Sequence, residues 1–502
     1  MPKFLALLAT LALIGASRLP EIRDADTRAW WRATEELAGD EMQGRDTGSP
    51  GYDRAAALVA RRFAAAGLTP AGENGTWFQT LSFRDLTVDA RASGVGVGGM
   101  RLRLLRDITL RPSPGMPRRV DAALAFRGYC AADAMDDVRG KVVLCYGWRR
   151  TGLTDAATRL AVVEKAGAIG IVTIADPGFA VEPMRWPVAY ARAVSPTDAA
   201  PSAGDRMLVA TLNPDALARM FAGSGQDAGA LLAAGSVGRP LPRFDLPGRL
   251  HASVAVRERS TRSANVLALL PGTDPRLSAQ VIVLSAHLDG YGHGEPVRGD
   301  GLYNGALDDA AYVALLEQLA ARRAGRGYRR PVLFAAFTGE EKGLLGASAF
   351  VSHPTLPRAS LAADINLDQL RPLFPLDLLT VHALDDTTLG DTVRATAAAM
   401  GVAVQHDPEP ERGLLRRADH WPFLAAGVPA TGFVFGYRPG TDAERRYREW
   451  YELRYHKPQD DLSQPMDWTA AARFNDFFYR LIANVADANA PPAWKPRAAL
   501  RP

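Results

Sequence analysis

Cysteine is nearly absent: 502 residues contain only Cys130 and Cys145. Two thiols cannot make a disulfide framework, and whether they pair or lie buried and unpaired stays open. Blocks of like charge are missing too. The 59 basic and 55 acidic residues leave a net charge of +4, so a nucleic-acid or membrane-surface partner is not implied despite a pI of about 9.0. Beyond the first residues no stretch approaches about 18 uncharged apolar residues, which argues against an integral membrane span. No GxSxG and no HExxH occurs, which disfavours a serine hydrolase and a thermolysin-type single-zinc site.

What is present is an ordinary globular composition, 47% apolar and 23% charged, at a length that predicts two or three domains. Lys3, an apolar run from Phe4 to Ile14 and the small residues Gly15, Ala16 and Ser17 read as a signal peptide over residues 1–17, with an uncleaved anchor as the alternative. The expected location is therefore exported, periplasmic or secreted. No cysteine follows the run, so a lipid anchor is not indicated.

From Asp24 to Phe83 the apolar spacing is helical, and the run Ala55–Ala66 closes on Gly67 as a terminator. Short strands and turns are expected from Thr69 to about Pro117. Gly94, Gly96 and Gly99 spell GxGxxG there, but no hydrophobic strand precedes them and a strand-like 100–105 follows. That is a glycine-rich turn, not a dinucleotide site. Between about Val120 and Leu246, β-runs at 141–146 and 167–174 flank a helical stretch over 153–166. This region has no histidine and reads as an inserted binding or lid module. Arg249–Arg262 reads as a polar junction. From Ser263 onward apolar strands at 280–286, 331–337, 361–367 and 429–435 alternate with helices, including an amphipathic one over 309–324.

Open α/β sheets bind ligands beyond the carboxyl ends of their strands. At those ends stand His287 and Asp289, then Asp308 and Asp309 at a helix start, Glu340 and Glu341, Asp368, and Tyr455, His456 and Asp460 in the last loop. Two imidazoles and several carboxylates converging on one rim repel unless cations are bound, and an N/O donor set suits Zn²⁺.

Ala286-His287-Leu-Asp289, Asn304-Gly-Ala-Leu-Asp308-Asp309, Thr338-Gly-Glu340-Glu341, Asn366-Leu-Asp368 and Tyr455-His456-Lys-Pro-Gln-Asp460 together resemble the M28 family of co-catalytic zinc aminopeptidases and carboxypeptidases. Gly44–Asp53 is similar to the lead-in of bacterial members, and 138–144 with 166–171 resembles their inserted protease-associated (PA) domain. The resemblance implies two Zn²⁺ ions, one held by His287 and Asp368, the other by Glu341 and His456, with Asp308 between them. It implies Glu340 as general base and acid, Asp289 as the hydrogen-bond partner of the His287 imidazole, and Tyr455 as a stabiliser of the tetrahedral intermediate. Asp309 follows a cis peptide in many members, and His420, within Ala418-Asp419-His420, falls behind the metals or toward substrate. Leu307 departs from the usual Asp, and Tyr312 from a small or polar residue. His293, His382 and His406 are expected to be exposed or structural, and Arg412, Arg416 and Arg417 to be surface arginines, with binding of a substrate carboxylate as the alternative.

The fold class expected is α/β: a mixed, mostly parallel sheet with helices on both faces, plus a small β-rich PA-like insert. The division expected is 18–117 and 255–490 for the peptidase domain, 118–250 for the insert and 491–502 for a tail. The activity implied is hydrolysis of peptide substrates, foremost as an aminopeptidase. Alternatives are a carboxypeptidase of the same family, a glutaminyl-cyclase-like acyltransferase and a non-catalytic receptor-like protein. Oligomeric state stays open.

Overall fold

The computed structural model describes residues 24–147, 155–179 and 181–502; the expected leader over 1–17 lies outside them. The main sheet runs in the order Ala430–Thr431, Leu361–Asn366, Val281–His287, Val332–Phe337, Val256–Leu270, Phe78–Val88 and Arg192–Pro196, with Thr69–Pro70 paired to Val256–Leu270. It is mixed. The first four strands pair in parallel, and the remainder pair antiparallel. Parallel strands covered on both faces need apolar side chains on both, which is why Val281–His287 and Val332–Phe337 are buried at every position.

Helices cover the sheet. Ala311–Arg322 was expected to be amphipathic, yet nine of its twelve residues are buried, including Tyr312 and Glu317. It is roofed by Ala25–Leu37 and Pro50–Ala65. Trp30 donates its indole N–H to the Ala311 carbonyl, and Tyr312 packs between Trp30 and Phe474.

Two readings made from sequence change here. Arg249–Arg262 is not a junction but parts of two strands, Arg243–Ser253 and Val256–Leu270. Their exposed face carries arginine and glutamate, which hides the alternation of a half-buried antiparallel strand. The stretch before Phe83 likewise ends in the eleven-residue strand Phe78–Val88 and not in helix.

A second sheet has the order Met100–Leu102, Gly94–Val97, Arg243–Ser253, Arg119–Arg127, Val142–Tyr146, Gly170–Ile174, Leu208–Leu212 and Ile108–Leu110. The strands Gly94–Val97, Met100–Leu102 and Ile108–Leu110, all before residue 118, therefore belong to this sheet, and a boundary at 117 cuts it. The converse also occurs, because Arg192–Pro196, inside the expected insert, pairs with Phe78–Val88 of the main sheet. The helix expected over 153–166 is Ala156–Lys165, and Cys130 and Cys145 form a disulfide that staples this second core. Among the described residues no helix is long and apolar enough to cross a membrane.

Candidate metal centre

Because the parallel strands share one direction, their carboxyl ends open on one edge. His287 closes the strand Val281–His287, Glu340 and Glu341 follow Val332–Phe337, and Asp368 follows Leu361–Asn366. Asp308 sits in the wide turn Ala306–Ala310 that opens the helix Ala311–Arg322, and the Asp308–Asp309 peptide is cis. His456 comes from the last loop with φ 53°, a left-handed conformation that histidine adopts more readily than most residues.

Arg45 holds these loops in place. Fully buried, it donates to the carbonyls of Leu288 at 2.8 Å, Asn304 at 2.7 Å, Gly305 at 2.9 Å and Leu37 at 2.9 Å. One guanidinium thus ties the loop after His287 to the loop before Asp308.

Two donor groups share Asp308: His287, Asp308 and Asp368 form one, Asp308, Glu341 and His456 the other. His287 Nε2 lies 3.4 Å from Asp308 Oδ1, while His456 Nε2 lies 3.3 Å from Asp308 Oδ2 and 3.3 Å from Glu341 Oε2. These spacings exceed the 2.7–3.2 Å of ordinary N–H···O hydrogen bonds. They match the edge of a tetrahedron, since two donors about 2.0–2.1 Å from one zinc ion stand about 3.3–3.4 Å apart. Four inward-facing atoms, His287 Nε2, Asp308 Oδ2, Glu341 Oε1 and Asp368 Oδ2, are buried without a hydrogen-bond partner. Each would cost about 1–3 kcal/mol if left so, and a divalent cation pair would satisfy all four. The donors present fit zinc.

Charge at the rim reflects crowding. Burial, with Asp308 next, pushes the Glu341 carboxyl up to about 8. Burial likewise raises Glu340 well above the usual carboxylate range, with Asp368 and Glu341 adding to it against the pull of His287. Asp308 moves the other way. Burial opposes its ionisation, but Arg371, His287 and His456 surround it and hold it well below the ordinary value.

Partners behind the donors differ in detail from those the sequence implies. His287 Nδ1 donates to the backbone carbonyl of Asp289 at 2.9 Å, not to its carboxylate, which stands 3.8 Å away. The carboxylate instead accepts from the backbone N–H of Glu340 at 3.0 Å and the Thr47 hydroxyl at 2.9 Å. Asp309 accepts from the His287 backbone N–H at 3.1 Å. Tyr455 stacks on the His456 ring, centroids 3.8 Å apart. His420 is not in the cluster: it is buried against His382, rings 5.0 Å apart, where the missing Cβ of Gly432 leaves room for it. His293 and His406 are exposed.

Several residues here carry no motif. Tyr291 meets His456 Nδ1 through its hydroxyl at 2.9 Å. Arg371, buried beneath the centre, reaches Asp308 Oδ1 at 3.4 Å and lies over the Trp450 ring. Arg412 and Arg417 are not loose surface arginines. Arg412 is buried, and both pair with Glu182, whereas Arg416 lies over Trp421. Only their spacing from Asp368 and Asp289 could have flagged Arg371 and Tyr291, but both pairs lie in loops, where offsets of three and two carry no facial signal.

Residues 265–482 match peptidase family M28. This part of the chain belongs to that zinc metallopeptidase family. The M28 segment contains every donor described above. A probable zinc metalloprotease of Pyrenophora teres f. teres is 28% identical over 207 residues, 39% of this chain and 43% of the relative. A probable leucine aminopeptidase 2 of Aspergillus oryzae is 24% identical over 41% of this chain and 42% of its own length. The chain thus spans less than half the length of these curated relatives. Two solved structures share the fold along most of the chain. An aminopeptidase from Aneurinibacillus sp. strain AM-1 has a TM-score of 0.62 at 18% identity, covering 96% of this chain and 97% of that one. A zinc aminopeptidase from Bacillus subtilis has a TM-score of 0.59 at 16% identity, covering 92% and 96%.

Proposed function

We propose that the protein is an exported aminopeptidase whose centre holds two zinc ions. The observation that carries the reading is the sharing of Asp308 between two donor groups, each completed by one histidine and one further carboxylate. Zinc bound there supplies Lewis acidity toward a peptide carbonyl and lowers the pKa of water toward about 7. Everything else falls to the chain. Glu340 projects beside His287, its Oε2 3.9 Å from His287 Nε2, and its raised carboxyl suits a group that takes a proton from the attacking water and returns it to the leaving amine. Asp289 fixes the Glu340 backbone. Tyr455, next to His456, has no hydrogen-bond partner for its hydroxyl among the described residues and is placed by its neighbour at the rim, where a phenol can donate to a developing oxyanion. Export is supported by the Cys130–Cys145 disulfide, a bond that persists in oxidising compartments.

The test compares two variants of the zinc-loaded protein on aminoacyl substrates. Glu340→Gln should keep about two zinc ions per chain and lose at least a thousandfold in kcat/KM, whereas His456→Ala should lose zinc. Full hydrolysis by Glu340→Gln would sink the mechanism.

A further inference from the structure

A cavity of about 310 Å³ opens beside His456, and residues within 175–179 and 182–189 build most of its wall. Phe179, Met184 and Val188 make its apolar side; Arg185, Arg417 and His456 stand at its polar end. The volume suits one amino-acid side chain or one terminal residue of a peptide.

Arg185 is the unusual member. Its side chain is only 15% exposed, and its ion pair with Glu182 stretches to 3.6 Å. Its single hydrogen-bonding contact among the described residues is a 3.5 Å approach to His456 Nδ1, a nitrogen already engaged by the Tyr291 hydroxyl at 2.9 Å. Glu182 has little left to give. It accepts from Arg417 at 2.8 and 2.9 Å and from Arg412 at 3.3 Å, so three guanidinium groups face one carboxylate. Asp176, also on the cavity wall, is turned to the Tyr146 hydroxyl and the Gly178 amide. What holds Arg185 is the face of Tyr455, 4.1 Å below its guanidinium carbon. Stacking on a ring fixes the plane of the fork and leaves its edge N–H groups directed outward. A mostly buried guanidinium without a close acceptor is costly, and a carboxylate offers the two parallel N–H···O bonds that match its geometry.

We infer that Arg185 binds a carboxylate carried by the substrate one residue from the scissile bond, making it a specificity determinant that the insert contributes to the M28 centre. The inference rests on the peptidase reading for its substrate. Two sources of that carboxylate fit the place: an acidic side chain, or the free carboxyl terminus of a short peptide.

Two matched substrate pairs separate them, measured with zinc-loaded wild type and Arg185→Gln. One pair is a neutral dipeptide with a free or an amidated carboxyl terminus; the other is an amidated dipeptide beginning with glutamate or glutamine. Wild type should favour the carboxylate member of one pair at least tenfold in kcat/KM, and Arg185→Gln should erase that preference. Arg185→Lys, which keeps the charge without the fork, should retain only part of it. Ratios within threefold for both pairs in wild type, or a preference that survives in Arg185→Gln, would overturn the assignment. Calorimetric titration with glutarate gives a reading independent of turnover. Binding at least tenfold weaker in Arg185→Gln supports the carboxylate site even if no peptide is cut, in which case the peptidase reading alone fails. Equal glutarate affinity in the two proteins overturns the site.

Discussion

Asp289 shows how a motif can locate a residue and miss its contact. The sequence puts it two positions after a metal-type histidine, where a carboxylate partner for the imidazole is the ordinary expectation. In the structure the chain turns so that the carbonyl, not the carboxylate, meets His287 Nδ1, and the carboxylate faces Glu340 and Thr47. Backbone direction after a strand end is set by the following turn, which residue spacing does not encode. Asp289→Ala leaves the carbonyl contact in place and removes the support of Glu340. It should therefore keep zinc affinity within about threefold while kcat/KM falls at least tenfold, which metal titration and kinetics on the same preparation will check. His287, Asp308, Glu341 and Asp368 were legible together because each lies at a strand end or helix start, and His456 because its loop carries the Tyr-His-Lys-Pro-Gln-Asp motif. Tyr291, Arg371 and Arg185 were not, because each reaches the site through tertiary packing from a position with no distinguishing pattern.

Among the elements, the helix Ala311–Arg322 carries the most exposed assumption of a sequence reading. Glu317 and Gln318 suggest a solvent face, yet Glu317 lies buried against Arg62, which also pairs with Glu36. Burial raises the Glu317 carboxyl to about 7 despite Arg62. An acid whose folded value exceeds its unfolded value binds its proton more tightly in the fold, so its contribution is favourable below pH about 4.5 and is lost as pH rises through about 7. Glutamine mimics the protonated form. The stability of Glu317→Gln relative to wild type should therefore increase between pH 5 and pH 8, by on the order of 2 kcal/mol, as read by urea unfolding at each pH. A flat difference would show that Arg62 fully compensates the buried charge. Apolar strands such as Val281–His287 were readable because burial on both faces leaves no polar position. Val256–Leu270 was not, because its outer face is arginine, glutamate and serine.

At the scale of the whole molecule, residues of the loop after the second-sheet strand Gly170–Ile174 line the cavity beside His456. That loop reaches the centre through Arg185, and Arg412 and Arg417 of the M28 segment grip its Glu182. Composition gave no hint of that clamp, since a near-neutral net charge conceals paired buried ions. The same concealment applies to the metal donors. Glu341, raised to about 8 by burial and by Asp308, holds its proton at pH 6 in metal-free protein and must release it when zinc binds. Zinc affinity should therefore rise with pH from 6 to 8. The gain in unfolding temperature on adding zinc to chelated protein should be larger at pH 8 than at pH 6. A smaller gain at pH 8 would contradict the assignment of Glu341 as a donor.

The central claim is that Asp308 lies between two zinc ions, and diffraction from zinc-soaked crystals at the zinc absorption edge tests it most directly. The account predicts two anomalous peaks about 3.5–4 Å apart, one contacting His287 and Asp368, the other Glu341 and His456, with Asp308 touching both. A single peak, or peaks that leave Asp308 on one side, would contradict it.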